Sequence, residues 1–295
     1  MAKIGFIGLG NMGLPMAGNL VKQGHQVRGF DLLAGNVEQA VRLGVSAATS
    51  AADAATGVEA VITMLPAGKD TLSVWGGGML SAAPPGTLII DSSTIDVTSA
   101  RAAHAMAAAQ NMLALDAPVS GGVGGAQAAT LTFMCGGADE AFAKAKPILE
   151  VMGKRVIHCG GAGAGQAAKI CNNLMLGISM IGVCEAFVLA EKLGLSHQAL
   201  FDVASTSSGQ CWALTSYCPV PGPVPNAPSN NAYQAGFASA LMLKDLKLAQ
   251  EAAAAVGATT PLGAAAAQLF GMHNAWGEGR TDFSGIIHLI RGKAK

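Results

Sequence analysis

Two clusters at the start of this 295-residue chain combine residue types and spacing that suit phosphate and ribose. Gly8-Leu9-Gly10-Asn11-Met12-Gly13 is a GxGxxG turn that follows the apolar run at 3–7 and opens a small-residue helical stretch. In that setting the first glycine permits a tight turn. The second lets backbone approach a pyrophosphate, and the third lets the helix pack on the strand. The helix start adds N–H groups that favour an anion. Asp31 closes the next apolar stretch, 26–31, where a carboxylate accepts hydrogen bonds from ribose hydroxyls and repels a 2′-phosphate. Leu32 and Leu33 follow, with no arginine to offset that repulsion, so the turn is expected to take NAD rather than NADP. Arg28 lies an odd number of strand positions from Asp31 and is expected to face the other way.

Two further groups could act on a substrate. Ser120-Gly121-Gly122 ends the segment Asp116-Ala117-Pro118-Val119, and a hydroxyl beside two unobstructed amides can cradle a carboxylate. The residues alone fit a glycine loop between two strands equally well. Lys169 and Asn173 stand one turn apart in an apolar helical run that opens at Gly163-Ala164-Gly165-Gln166. A lone lysine is ordinarily solvated, yet cations are disfavoured near a helix start and the flanking run is apolar enough to be buried. A buried amine gives up its proton more easily, which suits proton transfer. Lys244-Asp245, amid Leu241, Leu243, Leu246 and Leu248, reads by itself as an exposed pair on an amphipathic helix.

These residues need elements to carry them. Apolar runs at 3–7, 26–31, 60–65, 87–91, 112–116, 131–135 and 155–159 read as strands, with helical sequence such as 11–23, 97–110 and 139–152 between them. Such alternation implies parallel pairing in a doubly wound sheet. From 166 to 192 no proline interrupts one long helix; helices follow near 196–205, 238–255 and 261–276, and the proline-rich 217–228 must be a loop. The expected fold is α/β: a Rossmann-type doubly wound N-terminal domain, 1–163, then an all-helical domain, 164–295, that begins with the long connecting helix.

Composition removes several classes. Lys plus Arg (18) balances Asp plus Glu (18), so no basic excess points to nucleic acid. The six cysteines contain no CxxC, the six histidines have no ligand spacing, and no metal site is expected. The apolar stretch 174–190 approaches membrane-spanning length, but Glu185 interrupts it and a buried helix is the better reading. The glycine turn follows the N-terminus too closely for a secretion signal, so a reducing, cytoplasmic setting is expected.

Residues 6–20, FIGLGNMGLPMAGNL, resemble the N-terminal signature of the 3-hydroxyisobutyrate dehydrogenase family of β-hydroxyacid dehydrogenases. The resemblance extends over the chain through DAPVSGG, GxGxxxKxxNN and LMLKDL. It implies that Lys169 transfers the proton and that Ser120, Gly121, Gly122 and Asn173 hold the substrate. It also brings Asp245 near the substrate pocket. On the cofactor side it places Leu65, Pro66, Thr94 and Lys244 beside Gly8, Gly10, Asn11, Met12, Gly13, Asp31 and Leu32. The loops 207–212 and 216–237 resemble the branch that acts on 3-hydroxyisobutyrate in valine degradation more than the tartronate semialdehyde reductases. The implied protein is an NAD-dependent homodimer or homotetramer. Related substrates (L-serine, 3-hydroxypropionate, tartronate semialdehyde) and a catalytically silent dinucleotide-binding module stand as the alternatives.

Overall fold

Strands buried on both faces need apolar residues at every position, and helices must cover each face. The computed structural model of the chain, which describes residues 1–292, meets this in the first of two compact units, Met1–Lys169 and Ile170–Lys295. That unit runs β1 (Lys3–Ile7), α1 (Gly13–Lys22), β2 (Gln26–Phe30), α2 (Ala34–Arg42), β3 (Ser46–Ala47), α3 (Ala51–Ala55), β4 (Ala60–Thr63), α4 (Gly68–Val74), α5 (Leu80–Ala82) and β5 (Leu88–Asp91). It continues α6 (Val97–Ala108), β6 (Leu113–Asp116), β7 (Val119–Ser120), α7 (Gly122–Gln127), β8 (Leu131–Gly137), α8 (Asp139–Leu149) and β9 (Gly153–Gly160).

Period-two alternation sorts the strand side chains into two cores. Ile4, Phe6, Ile62, Ile90 and Leu115 pack with Met16 and Leu20 of α1 and Leu149 of α8. Their neighbours Ile7, Val61, Ile89 and Ala114 pack on the other face with Ala54 of α3 and Ala103 and Ala107 of α6. The strand order is β3-β2-β1-β4-β5-β6-β8-β7, with β9 beside β8. Chain direction across the sheet therefore reverses between β1 and β4, the switch point at which such sheets bind ligands.

The expectation of parallel pairing holds for β1 to β6 and fails beyond. β8 runs antiparallel to both β6 and β7, and only β9 returns parallel to β8. A parallel return needs a crossover of a dozen or more residues. The link from β7 to β8 contains only the six-residue α7 and short turns, whereas α8, with eleven residues, is long enough to bring β9 back parallel. β3 and β7 have two residues each, too short to show a sequence pattern.

The second unit is helical. α9 (Ala164–Lys192) starts in the first unit and continues into it, followed by α10 (His197–Ala204), α11 (Trp212–Thr215), α12 (Ser239–Val256), α13 (Pro261–Ala275) and α14 (Ile287–Arg291). No strand follows β9 among the described residues. α9 is apolar enough by composition to cross a membrane, but Met180, Ile181, Val183, Cys184 and Phe187 on it belong to the core of this unit with Met242, Leu246, Phe270 and Phe283. The loop after α11 is fixed by the Asp282 carboxylate, which accepts from Tyr217 Oη, the Gly236 and Phe237 amides and Ser284.

In the parallel part of the sheet Ile7, Phe30, Thr63, Asp91 and Asp116 occupy one register row across β2-β1-β4-β5-β6. Every loop that follows this row emerges at the same sheet edge. Beneath it Asp91 is fully buried and accepts from Ser93 Oγ (2.6 Å), Thr63 Oγ1 (2.7 Å), the Ser93 amide (3.2 Å) and Thr71 Oγ1 (3.3 Å). Burial outweighs these donors and pushes its carboxyl up to about 6. Between about pH 4 and that value the native state keeps a proton the unfolded chain has released, so stability is lost as pH rises through about 6. Chemical denaturation of the wild type and Asp91→Asn at about pH 4 and about pH 7 tests this. The wild type's advantage over the variant should fall by roughly 3 kcal/mol on going to the higher pH; a pH-independent difference rejects it.

Candidate active site

The sheet edge gathers most of the residues singled out above. At Gly8 the chain leaves β1 with φ +93°, and its missing Cβ is replaced in space by Met64 O, 2.2 Å from where that atom would sit. The Leu9 N–H donates to Asp31 Oδ2 at 2.7 Å, while Asp31 Oδ1 accepts from the Leu33 N–H at 2.8 Å. Asp31 therefore braces the glycine turn from the end of β2, with one lone pair on each oxygen still able to accept. Arg28 faces away, as the odd spacing requires, and pairs with Asp53. The Thr49 backbone N–H and the Arg28 guanidinium hold the Asp53 carboxyl below the usual range. Leu32 is 91% exposed beside Asp31.

The turn fits a dinucleotide. A Cβ on Gly10 would have no atom within 4 Å, so open space lies against its backbone. Asn11 and Met12 lead into α1, whose N-cap makes no side-chain hydrogen bond and whose first turn holds no acid. Those helix-start amides are suited to a pyrophosphate. Gly13 packs so closely on Gly8 O that no other residue fits there.

The loops after β4 and β5 are tied together. The Leu65 N–H donates to Ser93 Oγ at 2.7 Å, and Ser93 in turn donates to Asp91. Pro66 follows Leu65 at the surface, and Thr94 is half-buried between Ser93 and Ile95. After β6, Ser120 ends β7 half-buried, and Gly121 turns the chain into α7 with φ +132°, which a side chain would resist.

α9 reaches the same edge. Gln166, fully buried, donates to Ser93 O at 2.7 Å and accepts from the Ile95 N–H at 3.1 Å. The Gly163 and Gln166 amides donate to Asp116 Oδ1 and Oδ2 at 2.8 and 2.9 Å. Lys169 follows within one turn and is 6% exposed, so the solvated reading of this lysine is out. In the second unit Asn173, 1% exposed, donates to Asp245 Oδ2 at 2.5 Å and accepts from Asn172 Nδ2 at 2.9 Å. Asp245 is buried and Lys244 half-buried on α12, against the exposed-pair reading of these two.

Five residues of this framework were not read from the sequence as site residues: Asp91, Ser93, Asp116, Gln166 and His104, whose Nε2 lies 2.9 Å from Asp116 Oδ1. Asp91 and Asp116 did carry a signal, since each ends an apolar strand where a lone acid has no business unless donors await it.

Fold and edge together define a dinucleotide-binding α/β protein with a buried lysine on the helix anchored at that edge. Residues 3–161 match the NAD binding domain of 6-phosphogluconate dehydrogenase, and residues 163–290 match the NAD-binding domain of NADP-dependent 3-hydroxyisobutyrate dehydrogenase. A probable 3-hydroxyisobutyrate dehydrogenase of Mycobacterium tuberculosis is 53% identical over 294 residues, 100% of this chain and 99% of that protein. An NAD-dependent L-serine dehydrogenase of Pseudomonas aeruginosa is 48% identical, covering 98% of each chain. The structure of M. tuberculosis 3-hydroxyisobutyrate dehydrogenase with L-serine superposes with a TM-score of 0.96 over 99% of this chain and 100% of that one, at 53% identity. The chain belongs to the 3-hydroxyisobutyrate dehydrogenase family, and is thus an NAD-binding oxidoreductase of the β-hydroxyacid dehydrogenase class.

Proposed function

We propose that the chain oxidises 3-hydroxyisobutyrate to methylmalonate semialdehyde with NAD, the dehydrogenase step of valine degradation. The observation that carries this reading is a buried Lys169 on a helix whose first turn is anchored to the ends of β5 and β6. The names of the relatives and the resemblance of 207–212 and 216–237 support the substrate. A second reading, L-serine, is favoured by the L-serine in the mycobacterial structure and by the Pseudomonas relative. Both molecules carry a carboxylate and a 3-hydroxyl and differ by methyl against ammonium at the middle carbon. Small pocket changes decide between such pairs.

NAD, when bound, would supply the hydride acceptor for the hydroxyl carbon. Gly8, Gly10, Asn11, Met12, Gly13, Asp31, Leu32, Leu65, Pro66, Thr94 and Lys244 would hold it. Ser120 and the amides of Gly121 and Gly122 take the substrate carboxylate. Asn173 keeps a second amide hydrogen beyond the one given to Asp245, and this holds the substrate hydroxyl. Asp245 orients Asn173. Lys169 accepts the hydroxyl proton at Nζ as the carbonyl forms, a step that requires the neutral amine.

We place the enzyme in the cytoplasm, without a nucleic-acid or membrane partner, and propose that it self-associates. Met175, Gly182, Ala186 and Leu189 share an exposed face of α9 at spacings suited to helix pairing, and Leu193, just past the helix end, is 75% exposed. Light scattering at micromolar concentration should give at least twice the chain mass; a monomer contradicts this.

Steady-state rates with both acids and both cofactors test the reaction. Turnover of 3-hydroxyisobutyrate should exceed that of L-serine, 3-hydroxypropionate and glycerate, the alcohol of tartronate semialdehyde; the reverse order for L-serine selects the second reading. With NAD, kcat/KM should exceed that with NADP by about 10²-fold, the equivalent of ~3 kcal/mol for a phosphate facing Asp31. Leu32→Arg or Asp31→Ala should narrow the gap, and equal efficiency in the wild type sinks the assignment. Lys169→Ala should lower kcat by about 10²–10⁴-fold with NAD affinity, read by fluorescence titration, almost unchanged. Lys169→Arg should not rescue, because a guanidinium cannot accept the proton. If Lys169 only binds carboxylate, the arginine variant keeps its activity and the alanine variant mainly raises KM.

A further inference from the structure

Helix α9 has 29 residues and no acid in its first turn, so the positive end of its dipole is neutralised from elsewhere in the fold. The group that does so is Asp116, 2% exposed at the end of β6. Its two oxygens accept from the Gly163 and Gln166 amides, and His104 Nε2 on α6 lies 2.9 Å from Oδ1. The surroundings are shaped for this carboxylate. A Cβ on Gly165 would lie 2.2 Å from Met134 O and 2.8 Å from Asp116 Oδ2, and one on Gly136 would lie 2.6 Å from Asp116 Oδ1. Gln166 then carries the anchorage on to Ser93 and Ile95. The helix start is thus held at two neighbouring strand ends, and Lys169 lies three residues beyond Gln166, about 4.5 Å further along the axis.

We propose that Asp116, supported by His104, is a positioning residue for Lys169. It fixes the depth and rotation of the first turn of α9 and so the place of the lysine amine, a role that rests on Lys169 being the proton-transfer residue. Asp116 touches neither substrate nor cofactor in this account. In Asp116→Asn the side chain keeps its size but presents an N–H₂ to one of two N–H donors, so the first turn must shift. Misplacement of a reacting group by about 1 Å costs on the order of 10²-fold.

The test is a double-mutant cycle on the full chain: wild type, Asp116→Asn, Lys169→Ala and the double variant. Rates come from single-turnover NADH formation with enzyme in excess, and NAD binding from fluorescence titration. Asp116→Asn should lower the rate about ten- to a hundredfold, with NAD affinity within about twofold of wild type. Added to Lys169→Ala it should cost less than about twofold, because groups acting as a unit are not additive. An equal loss in both backgrounds, or a wild-type rate in Asp116→Asn, overturns the proposal. A wild-type rate in Lys169→Ala alone instead overturns the assignment of the lysine, so the two failures are distinct. If Asp116→Asn does not fold, His104→Gln, which keeps a donor to Asp116, and His104→Ala, which does not, take its place. The alanine variant should lose several-fold in rate and the glutamine variant less, with no loss from either in the Lys169→Ala background; identical rates in all backgrounds overturn the role of His104 and of the anchorage.

Discussion

A carboxylate placed at the end of a buried strand must find donors or the strand cannot be buried there. The first unit contains three acids at strand ends: Asp31 just after β2, and Asp91 and Asp116 closing β5 and β6. Each accepts from at least one group of another chain segment: the Leu9 amide for Asp31, Thr63 of β4 and Thr71 of α4, beside Ser93 of its own loop, for Asp91, and the Gly163 and Gln166 amides for Asp116. Satisfying the acids therefore draws the loops after β1, β4 and β9 toward the ends of β2, β5 and β6. The shared register row makes this possible, because it brings all those strand ends to one edge. The arrangement of that edge follows in large part from satisfying these three carboxylates, of which Asp91 and Asp116 are buried.

What was legible in the sequence was what is local. The glycine turn, Asp31 and the long helix carry their signals within a few residues or one strand-turn-helix unit, and the structure places them as read. The anchoring of Lys169 was not legible, because Asp116 lies 47 and 50 residues before the amides it receives. The pairing of Asn173 with Asp245, 72 residues apart, was hidden for the same reason. The antiparallel β8 escaped a reading based on alternation, since the six residues of α7 look helical in sequence whether or not they are long enough to cross over.

The cofactor turn and Lys169 lie in the first unit, whereas Asn173 and Asp245 lie in the second. A single uninterrupted helix carries both Lys169 and Asn173, so their spacing is set by backbone hydrogen bonds rather than by loop conformation. Side chains on regular elements are held more accurately than those on loops.

The brace from Leu9 to Asp31 also bears on how this lineage could change its coenzyme. On the proposed reading Asp31 discriminates against a 2′-phosphate, and because it also accepts from the Leu9 N–H its loss would loosen the glycine turn. Neutral drift at Asp31 is thereby closed off, whereas the exposed Leu32 can acquire a cation while the brace stays intact. Redox specificity in this scaffold should evolve, or be engineered, by additions around Asp31 before any change to Asp31 itself.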